Sequence, residues 1–89
     1  MYVARRFVIR GRVQGVGFRF YTADVAAREG IQGWVRNLPD RRVEIAAEGD
    51  ADAMERFERA IRHGPPAARV DDVDVTENVP AGGSGFSIR

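Results

Sequence analysis

Eighty-nine residues suffice for one domain, because chains divide into separate cores only at two to three times that length. With 44% hydrophobic and 30% charged residues and no apolar run approaching about 18, a helical membrane span is excluded; the lack of cysteine excludes disulfides, thiolate catalysis and cysteine-held metals. The net charge of +1 conceals an imbalance, since Arg5, Arg6, Arg10, Arg12 and Arg19 give the first 22 residues +5 and leave −4 for the rest, yet so neutral a total argues against a dedicated nucleic-acid binder.

Residues 6–13 read as a strand: Phe7, Ile9, Gly11 and Val13 alternate with Arg6, Val8, Arg10 and Arg12, so one face meets a core. Met1 to Phe7 lacks the apolar stretch of a secretory signal, and a cysteine-free domain of this size fits the reducing, cytoplasmic compartment. The strand ends at Gly15 and Gly17. From Phe18 to Glu29, Phe18, Tyr21 and Val25 recur at i, i+3 and i+7, with Gly30 as the C-terminal stop. Residues 31–37 and 42–48 form two strands joined through Leu38-Pro39-Asp40-Arg41, in which Pro39 and Asp40 are turn formers. Asp50 or Asp52 caps a second helix, the latter with Glu55 three residues on; Met54, Phe57 and Ile61 form its apolar stripe before Gly64-Pro65-Pro66 ends it. Val73 and Val75 resume strand alternation over 72–77, residues 80–83 form a flexible loop, and Phe86 and Ile88 mark a short last strand. The order β-α-β-β-α-β plus a terminal strand predicts a single α+β domain of the ferredoxin-like, split-βαβ type, an antiparallel sheet with two helices on one face.

Gly11 to Arg19 joins a strand, a glycine-rich turn, a helix start and a cation without a nearby carboxylate. Gly15 and Gly17 accept positive φ at little cost, so successive N–H groups can turn inward as a nest for a phosphate-sized anion. The helix start at Phe18 adds unpaired N–H groups and the positive end of its dipole, and Arg19 can lay a planar fork across two phosphate oxygens. Gln14, Gly15, Val16, Gly17, Phe18 and Arg19 are therefore the candidate phosphate-binding residues. Glycines alone would equally serve a tight turn; Arg19 and the missing acids favour the nest. A dinucleotide fingerprint is excluded because Phe20 stands where the third glycine belongs, and a Walker loop because no Gly-Lys pair follows.

Strands one and two, joined by a crossover helix, run parallel, which brings the turn after Val13 and Asn37 to the same sheet edge. With strand three between them, the two strand ends stand about 10 Å apart. Asn37 cannot act as a strong base, but its amide oxygen can accept a hydrogen bond from water and align it; ahead of Leu38-Pro39 it also suits an ordinary turn. Thr22, one helical turn beyond Arg19, is placed to hold the guanidinium or nearby water, or to serve the helix alone. Trp34 and Tyr21 read as packing residues, Asp71, Asp72 and Asp74 as a solvated strand face rather than a cation site, and His63 as an exposed cation at a helix end.

Gly11 to Arg19 followed by Phe20-Tyr21-Thr22, with Gly33-Trp34-Val35-Arg36-Asn37 downstream, strongly resembles the acylphosphatase family. The resemblance covers nearly the whole chain, through Val43 to Gly49, Gly64-Pro65-Pro66-Ala67, Val70 to Val75 and Phe86-Ser87-Ile88-Arg89. It implies hydrolysis of the carboxyl-phosphate bond of small acyl phosphates by in-line attack of water, with Arg19 and Asn37 as the catalytic pair and the Gln14 to Arg19 amides on the phosphate. It implies no metal, no cofactor and no covalent intermediate; the expected protein is a monomer that engages neither nucleic acid nor membrane. In one departure, Arg41-Arg42 follow Asp40 where the family commonly has a glycine, so the hairpin is the place where geometry could differ. The alternative is a non-catalytic anion- or RNA-binding module on the same fold, but RNA-stacking aromatics belong on central strands, whereas Phe18 and Phe20 fall at a loop and helix start.

Overall fold

Period-two alternation extends the first strand beyond the expected segment: in the computed structural model, which describes all 89 residues, β1 spans Tyr2–Arg12. It is followed by α1 (Phe18–Glu29), β2 (Gln32–Asn37), β3 (Val43–Asp50), α2 (Ala51–His63), β4 (Arg69–Glu77) and β5 (Phe86–Ile88). The strands form one sheet in the order β4-β1-β3-β2-β5, with both helices on one face. Four strands pair antiparallel as expected, but β5 lies parallel to β2, so the sheet is mixed. A long-range tether accompanies this crossing. Buried Glu48 accepts hydrogen bonds from the Ala81 and Gly82 amides and the Tyr2 hydroxyl, drawing the 78–85 segment across the open sheet face from the β4 edge to the β2 edge.

On the helix-facing side, Phe7, Ile9, Val35, Val43 and Ile45 pack against Phe18 and Val25 of α1 and Met54, Phe57 and Ile61 of α2, all but fully buried. Burial at this level is worth roughly 1.5–3 kcal/mol per large side chain. Phe57 meets Phe7 edge-on and Phe86 at a tilt, so it links α2 to a central and an edge strand. Register places Asn37 opposite Val43, and Val35 opposite Ile45; the alternation that buries Val35 therefore turns Asn37 to the helix side as well.

The two helices begin differently. Asp50, not Asp52 with Glu55, caps α2: its carboxylate accepts from the Asp52 amide, and Asp52 adds negative charge to the first turn. Gly17 starts α1 in the left-handed conformation with no side-chain cap and no acid in the first turn.

At the 38–42 turn, the Leu38 amide donates to the Arg42 carbonyl at 2.8 Å and the Arg41 amide to the Leu38 carbonyl at 3.2 Å. Arg41 adopts φ +75°, the conformation a glycine would take. Arg41 thus takes the backbone that glycine adopts at little cost, and the strain of the departure falls on one residue. Replacing Arg41 by Gly should stabilise the protein by about 0.5–1 kcal/mol, the release of strain partly offset by a more flexible unfolded chain. Urea titration checks the sign.

On the open sheet face, buried Glu44 receives Arg6 and Arg36, each at 2.6 Å. Burial alone would raise its carboxyl, but the two guanidiniums outweigh that and hold it below the ordinary 4.5. Glu44 therefore adds stability above about pH 5 and loses it as the pH falls through its lowered native value. Glu44→Gln should cost on the order of 1–2 kcal/mol at pH 7, a difference that shrinks steadily below pH 4.5 in thermal melts.

Candidate active site

The chain leaves β1 at Arg12, turns through Gly15 (φ +73°) and Gly17 (φ +77°), and enters α1 at Phe18. Both glycines have open space where a Cβ would stand, so backbone conformation rather than crowding calls for glycine there. None of the amides of residues 14–17 donates a hydrogen bond within the protein. The first N–H groups of α1 are also free by helix geometry. Together they form a row of unsatisfied donors at the positive end of a helix, the arrangement that receives an anion.

Gly15, Gly17, Phe18, Arg19, Phe20 and Asn37, with Val13, line one cavity of about 170 Å³. That is several times the roughly 30 Å³ share of a liquid water, room for a phosphoryl group and a water molecule. Arg19 and Asn37 thus share a cavity, although they stand 18 positions apart in sequence, one in α1 and the other at the end of β2. Their common edge follows from β3 lying between β1 and β2. The Arg19 guanidinium makes no ion pair; its one hydrogen bond within the protein is a long 3.4 Å donation to the Arg89 carbonyl. Asn37 Oδ1 is buried and accepts no hydrogen bond from the protein. A buried acceptor in that condition costs about 1–3 kcal/mol unless a donor reaches it, and a water beside it would be such a donor.

Gln14, Val16 and Thr22 are placed differently from the other candidates. Val16 packs against the core. The Thr22 hydroxyl donates to the Phe18 carbonyl at 2.8 Å, closing the first turn of α1; it serves the helix, and Arg19 only through it. Gln14 has a role that its place in the motif did not signal. Its Nε2 donates at 2.9 Å to both the Leu38 and the Arg42 carbonyls, fastening the glycine loop to the turn that follows Asn37.

Of the fourteen arginines, only Arg12, Arg19, Arg28, Arg41, Arg59 and Arg89 form no ion pair. Arg12, Arg19 and Arg41 gather around the β1–α1 loop, where an anion would feel an uncompensated positive field. On the acidic strand, Arg69 pairs with Asp71 and Arg10 with Asp72. No three His, Cys, Asp or Glu side chains cluster as metal donors. Between Ala4 and Arg10 of β1, and along Glu44 to Glu48 of β3, the open face carries no aromatic residue; Trp34 on β2 is covered by the Arg36 and Arg89 guanidiniums.

Residues 5–88 match the Acylphosphatase family model. An acylphosphatase of Anaeromyxobacter dehalogenans is 53% identical over 88 residues, covering 98% of this chain and 95% of the relative. One of Trichormus variabilis is 52% identical over 81 residues, covering 91% and 80%. The crystal structure of acylphosphatase from Bacillus subtilis superposes with a TM-score of 0.95 at 42% identity, covering 100% of this chain and 99% of that one.

If the Gln14 side chain fixes the distance between loop and turn, Gln14→Ala should lower kcat by roughly tenfold while inhibition by inorganic phosphate changes little, because the loop amides remain. Steady-state kinetics on benzoyl phosphate, with phosphate as competitive inhibitor, separates the two effects.

Proposed function

The chain belongs to the acylphosphatase family and hydrolyses acyl phosphates, and from that premise we propose that Arg19 and Asn37 carry the reaction in the cavity beside the β1–α1 loop, without a metal or a covalent intermediate. One observation supports this above the others: a guanidinium without an acid partner and a buried carboxamide oxygen without a donor line the same small cavity. The phosphoryl oxygens take the amides of residues 14–19 and two donors of Arg19, which neutralise the dianion and grip its equatorial oxygens through the transition state. Asn37 Oδ1 accepts a hydrogen bond from the attacking water and points its lone pair at phosphorus. The new P–O bond forms as the bond to the acyl oxygen breaks, the electron pair leaves with the carboxylate, and the water's proton passes to the phosphate product. A carboxylate is stable as an anion, so no general acid is needed to release it, and the site offers none.

The physiological substrate on this reading is a small-molecule acyl phosphate. The protein acts as a cytoplasmic monomer and uses no nucleic acid; its cysteine-free composition and net charge of +1 support that setting.

Arg19→Gln and Asn37→Ala should each lower turnover of acetyl or benzoyl phosphate about a hundredfold or more, the usual effect of losing one preorganised donor or positioning group. Both should fold. Asn37→Ala should be as stable as the parent or slightly more so, since it deletes a buried acceptor left unsatisfied. Circular dichroism and thermal melts beside the rate assay test this pairing, and an unchanged rate in either variant refutes that residue's role.

A further inference from the structure

Arg12, Arg41 and Arg69 line a second recess, about 490 Å³, with Gly11, Val13 and Gln14; Val13 is a wall of both this recess and the Arg19 cavity. Several features of the fold bring these cations together at a cost. The β1–β4 register shifts between Arg10 and Gly11, which sets Arg12 directly across from Arg69. Like charges in that relation repel. Gly11 permits the shift, for a Cβ there would lie 2.1 Å from the Arg69 carbonyl oxygen. Arg41 enters from the 38–42 turn while holding a glycine's backbone conformation. Asp71 neutralises Arg69, but Arg12 and Arg41 have no acid partner.

We propose that this recess is a second anion site, which takes a carboxylate or phosphate carried on the acyl group of the substrate. The proposal rests on the catalytic reading above and adds the class of acyl phosphate preferred. Sheet order supplies the direction. β1 and β4 lie on the side of the phosphate loop away from β2, the strand that ends in Asn37. A water held by Asn37 attacks in line, so the acyl oxygen departs on the side facing away from β2, toward β1 and β4. An anionic group a few bonds beyond the acyl carbon then meets the arginines, whose planar forks suit carboxylate and phosphate alike. A neutral acyl group gains nothing there.

Fumaroyl monophosphate and crotonoyl phosphate test the site, since they match in shape, differ by a carboxylate against a methyl group, and have a trans double bond that blocks cyclisation. The parent protein should favour the fumaroyl compound by about tenfold in kcat/KM relative to the ratio in Arg12→Gln/Arg41→Gly, and that advantage should fade toward 1 M salt. In the double variant both compounds lose the general attraction of the two arginines for the transferred phosphoryl group, so the fumaroyl-to-crotonoyl ratio is the readout. Arg41→Gly relieves backbone strain, so loss of selectivity in it cannot be ascribed to misfolding; Arg69→Gln provides an independent variant. Equal ratios in parent and double variant overturn the arginine site alone. Hydrolysis of neither compound by the parent removes the catalytic reading and this proposal with it.

Discussion

The amides between Gln14 and Gly17 and the N-terminus of α1 are donors that the protein does not itself satisfy, and the rest of the architecture serves that deficit. Elsewhere the chain meets such needs internally: Asp50 caps α2, and Glu48 absorbs the amides of the loop that crosses the open face. At α1 it places a glycine where a cap would stand and keeps acids out of the first turn. Unpaired backbone donors cost stability in a buried setting but are tolerated at a rim that water or an anion can reach. The same logic applies to Asn37, whose buried oxygen is the only such side-chain atom left without a partner. Two unsatisfied features of opposite polarity, donors on the loop and an acceptor on β2, suit a negative phosphoryl group and a water respectively.

Holding these features at fixed separation is a task for the sheet. β3 lies between β1 and β2, so the loop and Asn37 are spaced by two strand separations, and the core residues Phe7, Ile45 and Val35 pin those strands in register. Gln14 then closes the gap above the sheet, giving both hydrogens of one amide to carbonyls of the 38–42 turn. Such a brace matters on the proposed mechanism, which has no covalent or acid–base component to fall back on. Where rate arises from positioning and preorganised charge, small displacements translate directly into barrier height.

The sequence disclosed what short-range rules govern. Apolar periodicity located both helices and the strands, with the bounds of α1 matching residue for residue, and the parallel relation of strands one and two brought Arg19 and Asn37 to one edge before any coordinates. Other features depend on pairs far apart in the chain and carry no local mark. Glu44 and Glu48 look like the polar half of an alternating strand, yet they are buried because Arg6, Arg36, Tyr2 and residues 81–82 converge on them. The parallel pairing of β5 comes with a chain crossing held by that tether, which the three residues of the strand do not announce. Gln14 belonged to the recognisable motif, but its side-chain partners lie 24 and 28 residues away. Arg41 is the reverse case: the sequence flagged it as a misfit in a turn, and the strain of that misfit falls on its own backbone.

That strain bears on how the charge of the molecule is distributed. Most arginines here are neutralised by a nearby carboxylate, and a protein selected for stability alone would be expected to pair the others or to place glycine at position 41. Instead, Arg12, Arg19 and Arg41 stand unpaired around one loop, Arg12 beside an Arg69 that only Asp71 neutralises, and Arg41 on a left-handed backbone. Each of these choices opposes folding by a small amount, and they coincide beside the cavity to which the proposed mechanism assigns the anion. Strain scattered over the surface would suggest drift. Concentrated on the rim of the proposed phosphate seat, it lies where stability given up in folding would be returned as affinity, and it gives a nearly neutral protein one positive end.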